Sequence, residues 1–212
     1  MTIRSESVKT PRFPRTLRVA LASAGVATML LLSACSGDEP LPDVTWEDGG
    51  AGTVASDGSY EIFPEGERQA PIEFGGVTEF GDELSSEDLV GSVTVVNFWY
   101  ASCPPCRLEA PDLQAAWEEH QDDGVEFVGV NIYDQAATAK TFAEKQGITY
   151  PSILDVDDAS VRLAFADNVP PQAIPSTLVL DAEGRVASVI RGPIDPSILR
   201  SMITDTLAEG SK

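Results

Sequence analysis

Hydrophobic residues in the middle of the chain are arranged with two different periods. Residues 93–99 form a nearly continuous apolar run, which is typical of a strand buried on both faces. Residues 104–121 carry their apolar side chains at helical spacing, and residues 125–132 repeat the pattern of a buried strand. Segment 136–146 again has helical spacing and stops at Gly147, a residue type that commonly ends helices. The pattern predicts strand, helix, strand, helix.

The last quarter of the chain follows a different order. A short helix is predicted over residues 157–166. Two apolar runs at 177–180 and 185–190 flank an Asp-Ala-Glu-Gly sequence, which predicts a hairpin. A final helix over 196–207 has proline at its first position. A βαβ half followed by a ββα half indicates an α/β fold with a central mixed sheet flanked by helices.

The segment that precedes this alternating pattern predicts a short N-terminal hairpin. Residues 72–74 and 77–80 are the expected strands, and Gly75-Gly76 is the expected turn between them. A second turn is expected at residues 85–87.

The first 34 residues have the pattern of a lipoprotein signal peptide. A basic region is followed by an uncharged stretch from Val19 to Ala34, which is too short for an ordinary spanning helix. Leu32-Ser33-Ala34-Cys35 resembles the bacterial lipobox, in which two small residues precede a cysteine that is lipidated. We therefore predict a lipid on Cys35 that holds the protein at the outer face of the cytoplasmic membrane. Ordinary cleavage beside an incidental Cys35 is the alternative.

Acidic residues dominate the chain after this signal. The whole sequence has 34 Asp and Glu against 14 Lys and Arg, a net charge of −20. Removal of residues 1–34 takes away five basic groups and one acid, so the charge becomes −24. Such a charge argues against nucleic acid as a partner. Residues 35–66 are rich in Gly, Asp, Glu and Pro and are predicted to be a flexible tether, and residues 67–212 are predicted to be one compact domain.

Cysteine usage points to redox chemistry. Of three cysteines, Cys35 is assigned to the lipid, which leaves Cys103 and Cys106 in an oxidising compartment. A two-residue gap is a poor structural staple, because a tiny loop restrains the unfolded chain little. A zinc site needs four ligands, whereas the chain offers these two thiols and a single histidine, His120. We expect a redox-active pair with no metal and no cofactor.

The pair stands where the predicted strand gives way to a helix. Cys103-Pro104-Pro105-Cys106 opens the helix, so its N-terminus stabilises a thiolate at Cys103. Cys103 is the expected exposed nucleophile, and Cys106 the buried resolving thiol. Neither proline has an amide hydrogen, so only the N–H of Cys106 is left to donate to Cys103. A less stabilised thiolate makes a more reducing couple, which favours a reductase.

The segment from Asn97 to Cys106 resembles the thioredoxin superfamily signature. The longer stretch from Ala70-Pro71 to the last helix is similar to the TlpA/ResA/DsbE-like branch, whose members are membrane-attached thiol–disulfide oxidoreductases. Several of them reduce apocytochrome c before haem attachment. The resemblance implies a thioredoxin fold, protein disulfide substrates and a membrane-embedded thiol electron donor. We also expect a monomer.

Three further features carry over by position. Glu109, three residues after Cys106, matches an active-site glutamate of the reducing branch. Pro175 matches the cis-proline that faces the cysteine pair, and the backbone of Ile174 before it would pair with a substrate strand. The extra helix and strand within residues 125–166 match the insertion typical of the branch.

Two positions depart from thioredoxin proper, which has a buried aspartate in place of Asn97 and a tryptophan in place of Ser102. The missing aspartate is the usual base for the resolving thiol. Glu109 is the substitute that we predict. The alternative role for Glu109 is a first-turn acid that interacts with the helix dipole.

Two other functions stay open. Thiol peroxidases of the peroxiredoxin type share this fold, but their Pro-x-x-x-Thr-x-x-Cys pattern requires threonine where this chain has Tyr100. A lipoprotein that binds a partner or metal without turnover is the other alternative, and the paired thiols argue against it.

Overall fold

The computed structural model describes residues 59–210. The predicted signal peptide, Cys35 and residues 35–58 of the predicted tether lie outside the described residues. Eight strands and four α-helices are present in the described part. The strands are β1 Tyr60–Ile62, β2 Gly75–Val77, β3 Glu83–Ser85, β4 Val93–Trp99, β5 Val125–Asn131, β6 Ser152–Leu154, β7 Ser176–Leu180 and β8 Val186–Arg191. The helices are α1 Pro104–His120, α2 Ala136–Gln146, α3 Ser160–Ala164 and α4 Pro196–Glu209.

Six strands form one mixed sheet in the order β1-β8-β7-β4-β5-β6. The central strand β4 is buried along its whole length, as its apolar run predicts. It pairs parallel to β5 and antiparallel to β7, so the predicted central mixed sheet is confirmed. Strand β6 extends the sheet beyond β5 after α2, which confirms the predicted insertion.

Alternating side chains of β4 pack on opposite faces of the sheet. Val93 and Val95 pack in a core with residues of α1 and α4. Val96 and Phe98 pack in a second core on the other face of the sheet, together with Phe74 and Phe165. This period of two is the geometry of a strand with both faces covered. The sheet thereby fixes the end of β4, after which α1 begins, between β7 and β5. No helix within the described part is long and apolar enough to cross a bilayer.

The N-terminal hairpin forms with a different register from the prediction. Gly75 and Gly76 lie inside strand β2, which pairs with β3, so placing the turn at these glycines is wrong. A side chain at Gly76 would approach Ile153 to 2.7 Å, and one at Gly75 would approach the carbonyl oxygen of Leu84 to 3.0 Å. The glycines therefore permit close packing. The actual loop follows Val77 and has a positive φ of 92° at Gly81.

The predicted tether boundary at residue 66 also needs correction. Tyr60–Ile62 forms strand β1, which pairs antiparallel with β8, and a short 3₁₀ helix follows at Glu65–Glu67. Strand β1 is held by the backbone hydrogen bonds of β8, a partner that lies far along the chain. The predicted helix over 157–166 is shorter, since α3 covers Ser160–Ala164.

Candidate active site

The cysteine pair lies at the junction of β4 and α1, as predicted. Cys103 is the N-cap of α1 and forms a disulfide with Cys106, with the two Cα atoms 5.3 Å apart. The backbone N–H of Cys106 donates to the sulfur of Cys103 at 3.2 Å. Pro104 and Pro105 supply no amide hydrogens, so the first turn of the helix offers Cys103 this one backbone donor.

Both cysteines are buried in the disulfide form. Cys103 is 1% exposed and Cys106 is 2% exposed, so an exposed Cys103 is wrong for this redox state. Tyr100, Ala101 and Ile174 pack against the cluster that contains the two cysteines. The two sulfurs are therefore distinguished by hydrogen bonding, because Cys103 accepts the helix N–H, and solvent access does not separate them.

Glu109 is buried on the same helix, one turn after Cys106. Its side chain is 3% exposed. One carboxylate oxygen accepts from the side-chain amide of Asn97 at 3.0 Å, and the other accepts from the backbone N–H of Ile194 at 3.0 Å. The amide nitrogen of Asn97 also donates to the hydroxyl of Thr177 at 3.0 Å, which fixes its orientation. Within residues 59–210 Glu109 has no ion-pair partner.

This environment makes Glu109 an unusual carboxylic acid. Burial raises its pKa to about 7, and the charge of Asp112 adds to the rise. The hydrogen bonds from Ile194 and Asn97 act in the opposite direction and are outweighed. Since residues three apart share a helix face, Glu109 lies on the side of α1 that also presents Cys106. A carboxylate that titrates near neutral pH can accept or release a proton during thiol chemistry.

A small cavity lies behind the dithiol. Its volume is about 10 Å³, about the room that one water molecule needs. Cys106, Asn97, Tyr150 and Ser152 are among the residues that line it. Burial raises the pKa of the Tyr150 phenol, and the charge of Glu109 raises it further. Sequence reasoning missed Tyr150 and Ile194, since neither belongs to a recognisable pattern.

The loop before β7 brings the predicted substrate-binding residues to the cysteines. The Ile174–Pro175 peptide bond is cis, which confirms that expectation. Ile174 is half-buried and packs against the cysteine cluster. The carbonyl of Pro175 accepts from the N–H of Gly192 at 2.9 Å, whereas the backbone N–H and carbonyl of Ile174 have no partner within residues 59–210. Their role in binding substrate stays a prediction.

Comparison with known families and proteins supports the resemblance seen in the sequence. Residues 67–189 match the AhpC/TSA family. The thiol-disulfide oxidoreductase ResA of Bacillus subtilis is 29% identical over 119 residues, which cover 56% of this chain and 64% of ResA. The match therefore spans less than two thirds of that relative.

Two solved structures from Corynebacterium share the fold over almost their whole length. A DsbF homologue from Corynebacterium diphtheriae is 31% identical with a TM-score of 0.62, covering 74% of this chain and 99% of that one. A secreted thiol-disulfide isomerase from Corynebacterium glutamicum is 29% identical with a TM-score of 0.65 and the same coverage. The predicted thioredoxin fold is thereby confirmed. The chain belongs to the AhpC/TSA family of the thioredoxin superfamily.

Proposed function

We propose that this chain is an extracytoplasmic thiol–disulfide oxidoreductase that reduces disulfides in other proteins. The observation that carries the proposal is the Cys103–Cys106 disulfide at the start of α1. On the same face of this helix lies Glu109, a buried carboxylate whose pKa is raised to about 7. A dithiol needs a thiolate for attack and a proton acceptor for resolution. The helix N-terminus supplies the first requirement and Glu109 supplies the second.

The exchange runs in two sulfur-transfer steps. The thiolate of Cys103 attacks a substrate disulfide, so a new S–S bond joins Cys103 to the substrate and the other substrate sulfur leaves as a thiolate. Glu109 takes the proton of the Cys106 thiol. The Cys106 thiolate then attacks the sulfur of Cys103, closes the Cys103–Cys106 disulfide and releases the second substrate sulfur. Two electrons pass to the substrate, and protons from Glu109 and solvent leave it as two thiols.

Regeneration requires the reverse exchange with a thiol donor. A membrane-embedded dithiol would attack the Cys103–Cys106 disulfide and leave with its own disulfide. A lipid on Cys35 would keep the domain close to such a donor. Apocytochrome c is one protein substrate that fits this arrangement.

The surroundings of the dithiol favour the reducing direction. Cys103 accepts a single backbone N–H, because Pro104 and Pro105 have none to donate, so its thiolate is stabilised less than at a helix start without prolines. A charged Glu109 also disfavours a thiolate close to it. Both effects raise the thiol pKa and stabilise the disulfide relative to the dithiolate. We expect a reduction potential more negative than about −200 mV, on the reducing side of the known oxidases. Equilibration with glutathione buffers followed by thiol trapping measures this potential, and a value near −120 mV would indicate an oxidase.

The direct test uses a peptide disulfide and two serine variants. Cys106→Ser should attack the peptide and stop as a mixed disulfide at Cys103, whereas Cys103→Ser should form no adduct. Mass spectrometry of the quenched reactions identifies the bond. Adduct formation by Cys103→Ser and none by Cys106→Ser would reverse the two roles. Absence of peptide reduction by the wild type would refute the proposed function.

A thiol peroxidase is the competing activity. Tyr100 occupies the position where that mechanism needs a threonine, three residues before the attacking cysteine. Reduced protein should therefore react with hydrogen peroxide no faster than a simple thiol of similar pKa. Rapid peroxide consumption with formation of a sulfenic acid at Cys103 would favour the peroxidase instead.

Membrane attachment has its own test. Cys35→Ala should abolish incorporation of radiolabelled palmitate and release the protein from the membrane fraction. The variant retains Cys103 and Cys106, so its reductase activity on a peptide should match that of the wild type. Unchanged palmitate incorporation would show that Cys35 is not the lipid site.

A further inference from the structure

The cations of this acidic protein fall into two groups. Within residues 59–210, five arginines form salt bridges with carboxylates: Arg68, Arg162, Arg185, Arg191 and Arg200. Arg107, Lys140 and Lys145 form none in the same part of the chain. The sequence has 34 Asp and Glu, so carboxylates are abundant, and a cation that is left without one is the exception.

Two of these unpaired cations line one groove beside the dithiol. The groove has a volume of about 400 Å³ and lies between the start of α1 and one face of α2. Arg107 contributes from α1, and Lys145 contributes from α2 together with Thr138 and Thr141. Residues 138, 141 and 145 are three and four positions apart, so they share one face of the helix. The groove has the size of sites that hold small ligands or side chains of a bound peptide.

The groove is continuous with the cysteine cluster. Ala101 and Phe142 line it, and both also pack in the cluster that contains Cys103 and Cys106. The guanidinium of Arg107 donates to the carbonyl of Ala101 at 3.2 Å, which holds this charge next to the loop that precedes Cys103. A substrate segment seated in the groove would therefore lie next to the disulfide that reacts.

The lining of the groove is basic and polar. Besides Arg107 and Lys145 it contains alanine, threonine, glutamine and phenylalanine side chains, and none of the described residues that line it is acidic. The rest of the protein carries a large negative charge, which repels acidic molecules at long range. A membrane surface with anionic lipids would meet the same repulsion over a much wider area, so a short peptide segment is the better fit.

We propose that the groove lined by Arg107 and Lys145 binds an acidic segment of the protein substrate, close in sequence to the disulfide that is reduced. This inference rests on the proposed reductase function and adds its substrate preference. The Thr138 hydroxyl, the Lys145 ammonium and the Arg107 guanidinium supply hydrogen-bond donors for carboxylates, and Phe142 supplies an apolar wall. The Thr141 hydroxyl donates to the carbonyl of Ala137. We expect this preference for acidic segments only within the groove, because the net negative charge of the protein repels acidic molecules elsewhere on the surface.

Lys145 also has an ordinary structural role that the test must separate. It lies in the last turn of α2, where a positive charge interacts favourably with the helix dipole. That role predicts a small change in stability and no change in substrate preference. A comparison of matched substrates therefore distinguishes the two roles.

The experiment measures oxidation of the reduced full chain by three synthetic peptides in a stopped-flow fluorimeter. The peptides contain the same Cys-Gly-Gly-Cys disulfide, flanked by two Glu, two Gln or two Lys residues. The variants are Lys145→Gln, Lys145→Glu and, as a control, Arg200→Gln, which removes a cation paired with Glu119 on the exposed surface of α4. The quantity compared is the ratio of the rate for the Glu peptide to the rate for the Gln peptide.

The ratio for Lys145→Gln should be about two- to fivefold lower than the wild-type ratio, the size expected for one exposed ion pair. Lys145→Glu should lower it further and make the Lys peptide the fastest substrate of the three. Arg200→Gln should leave the ratio unchanged. Equal ratios for wild type and both Lys145 variants would overturn the inference, as would an equal drop in Arg200→Gln. If the wild type reduced none of the peptides, the proposed function itself would fail.

Discussion

Strand β7 has a buried carboxylate near each of its ends, and the two differ in the charges around them. Near the start of the strand, Glu109 accepts hydrogen bonds from Asn97 and from a backbone N–H, with no ion pair in the described part of the chain. Directly after the last residue, Asp181 lies 3.0 Å from the guanidinium of Arg68 and 2.9 Å from that of Arg185. One buried charge is neutralised by cations, and the other is not.

This difference matches a structural role for Asp181 and the proton-transfer role that we propose for Glu109. Asp181 and its two arginines connect the end of β7 to the segment after β1 and to the end of α4, because Arg68 also donates to the carbonyl of Phe63 and to the carboxylate of Glu209. Among the described residues Glu109 has only neutral donors, so burial dominates and its pKa rises towards neutral pH. A buried carboxylate without a cation, one turn along the helix from the resolving cysteine, is the arrangement expected of a proton acceptor.

The largest change in stability is expected at Arg68, one of the two arginines beside Asp181. Arg68→Met should destabilise the protein by about 2 kcal/mol or more, because loss of the buried guanidinium removes one of the two cations beside Asp181, the partner of Glu209 and the donor to the Phe63 carbonyl. Urea unfolding measures the change. Arg200→Gln, which removes a half-exposed pair with Glu119, should cost less than about 1 kcal/mol. Equal losses in the two variants would show that the Arg68 cluster is not special.

The next effect concerns turnover and is expected at Glu109, near the start of β7. Glu109→Gln keeps the shape of the side chain and removes the proton acceptor, so resolution of the mixed disulfide should slow by roughly ten- to a thousand-fold. The first attack should not slow, since loss of the negative charge lowers the pKa of the Cys103 thiol. Stopped-flow measurement of both steps with a model disulfide separates the effects. An unchanged resolution rate would leave Glu109 with only a structural role.

The double variant Asn97→Asp/Glu109→Gln sharpens this test. It exchanges the amide and the carboxylate, which lie 3.0 Å apart, and so restores one buried carboxylate beside the dithiol. We expect it to recover part of the resolution rate lost in Glu109→Gln. The resolution rate of the single variant Asn97→Asp should differ from that of the double variant, because the single variant has two carboxylates at this distance and they cannot both be charged. Failure of the double variant to recover any rate would mean that position 109 matters for shape and not for proton transfer.

A third effect is on stability as a function of pH. The pKa of Glu109 is about 7 in the folded disulfide form and 4.5 as its ordinary value, so the folded state holds the proton more tightly. The contribution of Glu109 to the stability of the wild type should therefore fall as pH rises from 4.5 to 7 and level off above that range. Relative to wild type, Glu109→Gln should gain roughly 3 kcal/mol between pH 4.5 and pH 8. Urea unfolding of the oxidised proteins measures this gain, and a difference that is constant with pH would contradict it.

The smallest effect is expected from Asp112→Asn. The charge of this exposed carboxylate contributes to the raised pKa of Glu109, so its removal should lower that pKa slightly. The effect should shrink as salt is added, because exposed charges are screened. NMR titration of Glu109 in the variant at two salt concentrations measures it. A shift in the opposite direction would show that Asp112 acts through structure.

The sequence predicts the centre of the fold better than its edges. The apolar run of β4 and the helical spacing of α1 and α2 are strong local patterns, and each element forms with bounds close to those expected. Strand β1 has three residues in an acidic segment, and it forms because β8 offers a free edge about 130 residues later. The glycines of β2 predict a turn by composition alone. Their packing against Ile153 and Leu84 is a tertiary contact that no local pattern contains.

The active-site residues likewise divide into those that local sequence predicts and those that tertiary contacts bring in. Cys103, Cys106 and Glu109 lie within seven residues, so a strand–helix junction is enough to place them. The residues that set the environment of Glu109 come from elsewhere: Ile194 lies 85 positions further along the chain. The burial that raises the pKa of Glu109 is a property of the assembled layers. For this reason the sequence identifies the carboxylate but not the pH at which it titrates.

Within residues 59–210 Glu109 is a buried carboxylate without a cation, and its pKa near neutral is the property on which its proposed role depends. The most direct test is a ¹³C NMR titration of the Glu109 carboxyl carbon in the disulfide-bonded protein, assigned by its loss in Glu109→Gln. We predict an apparent pKa of about 7. A value near the ordinary 4.5 would contradict the proposed role of Glu109, because this carboxylate would then be charged at every pH at which the dithiol works.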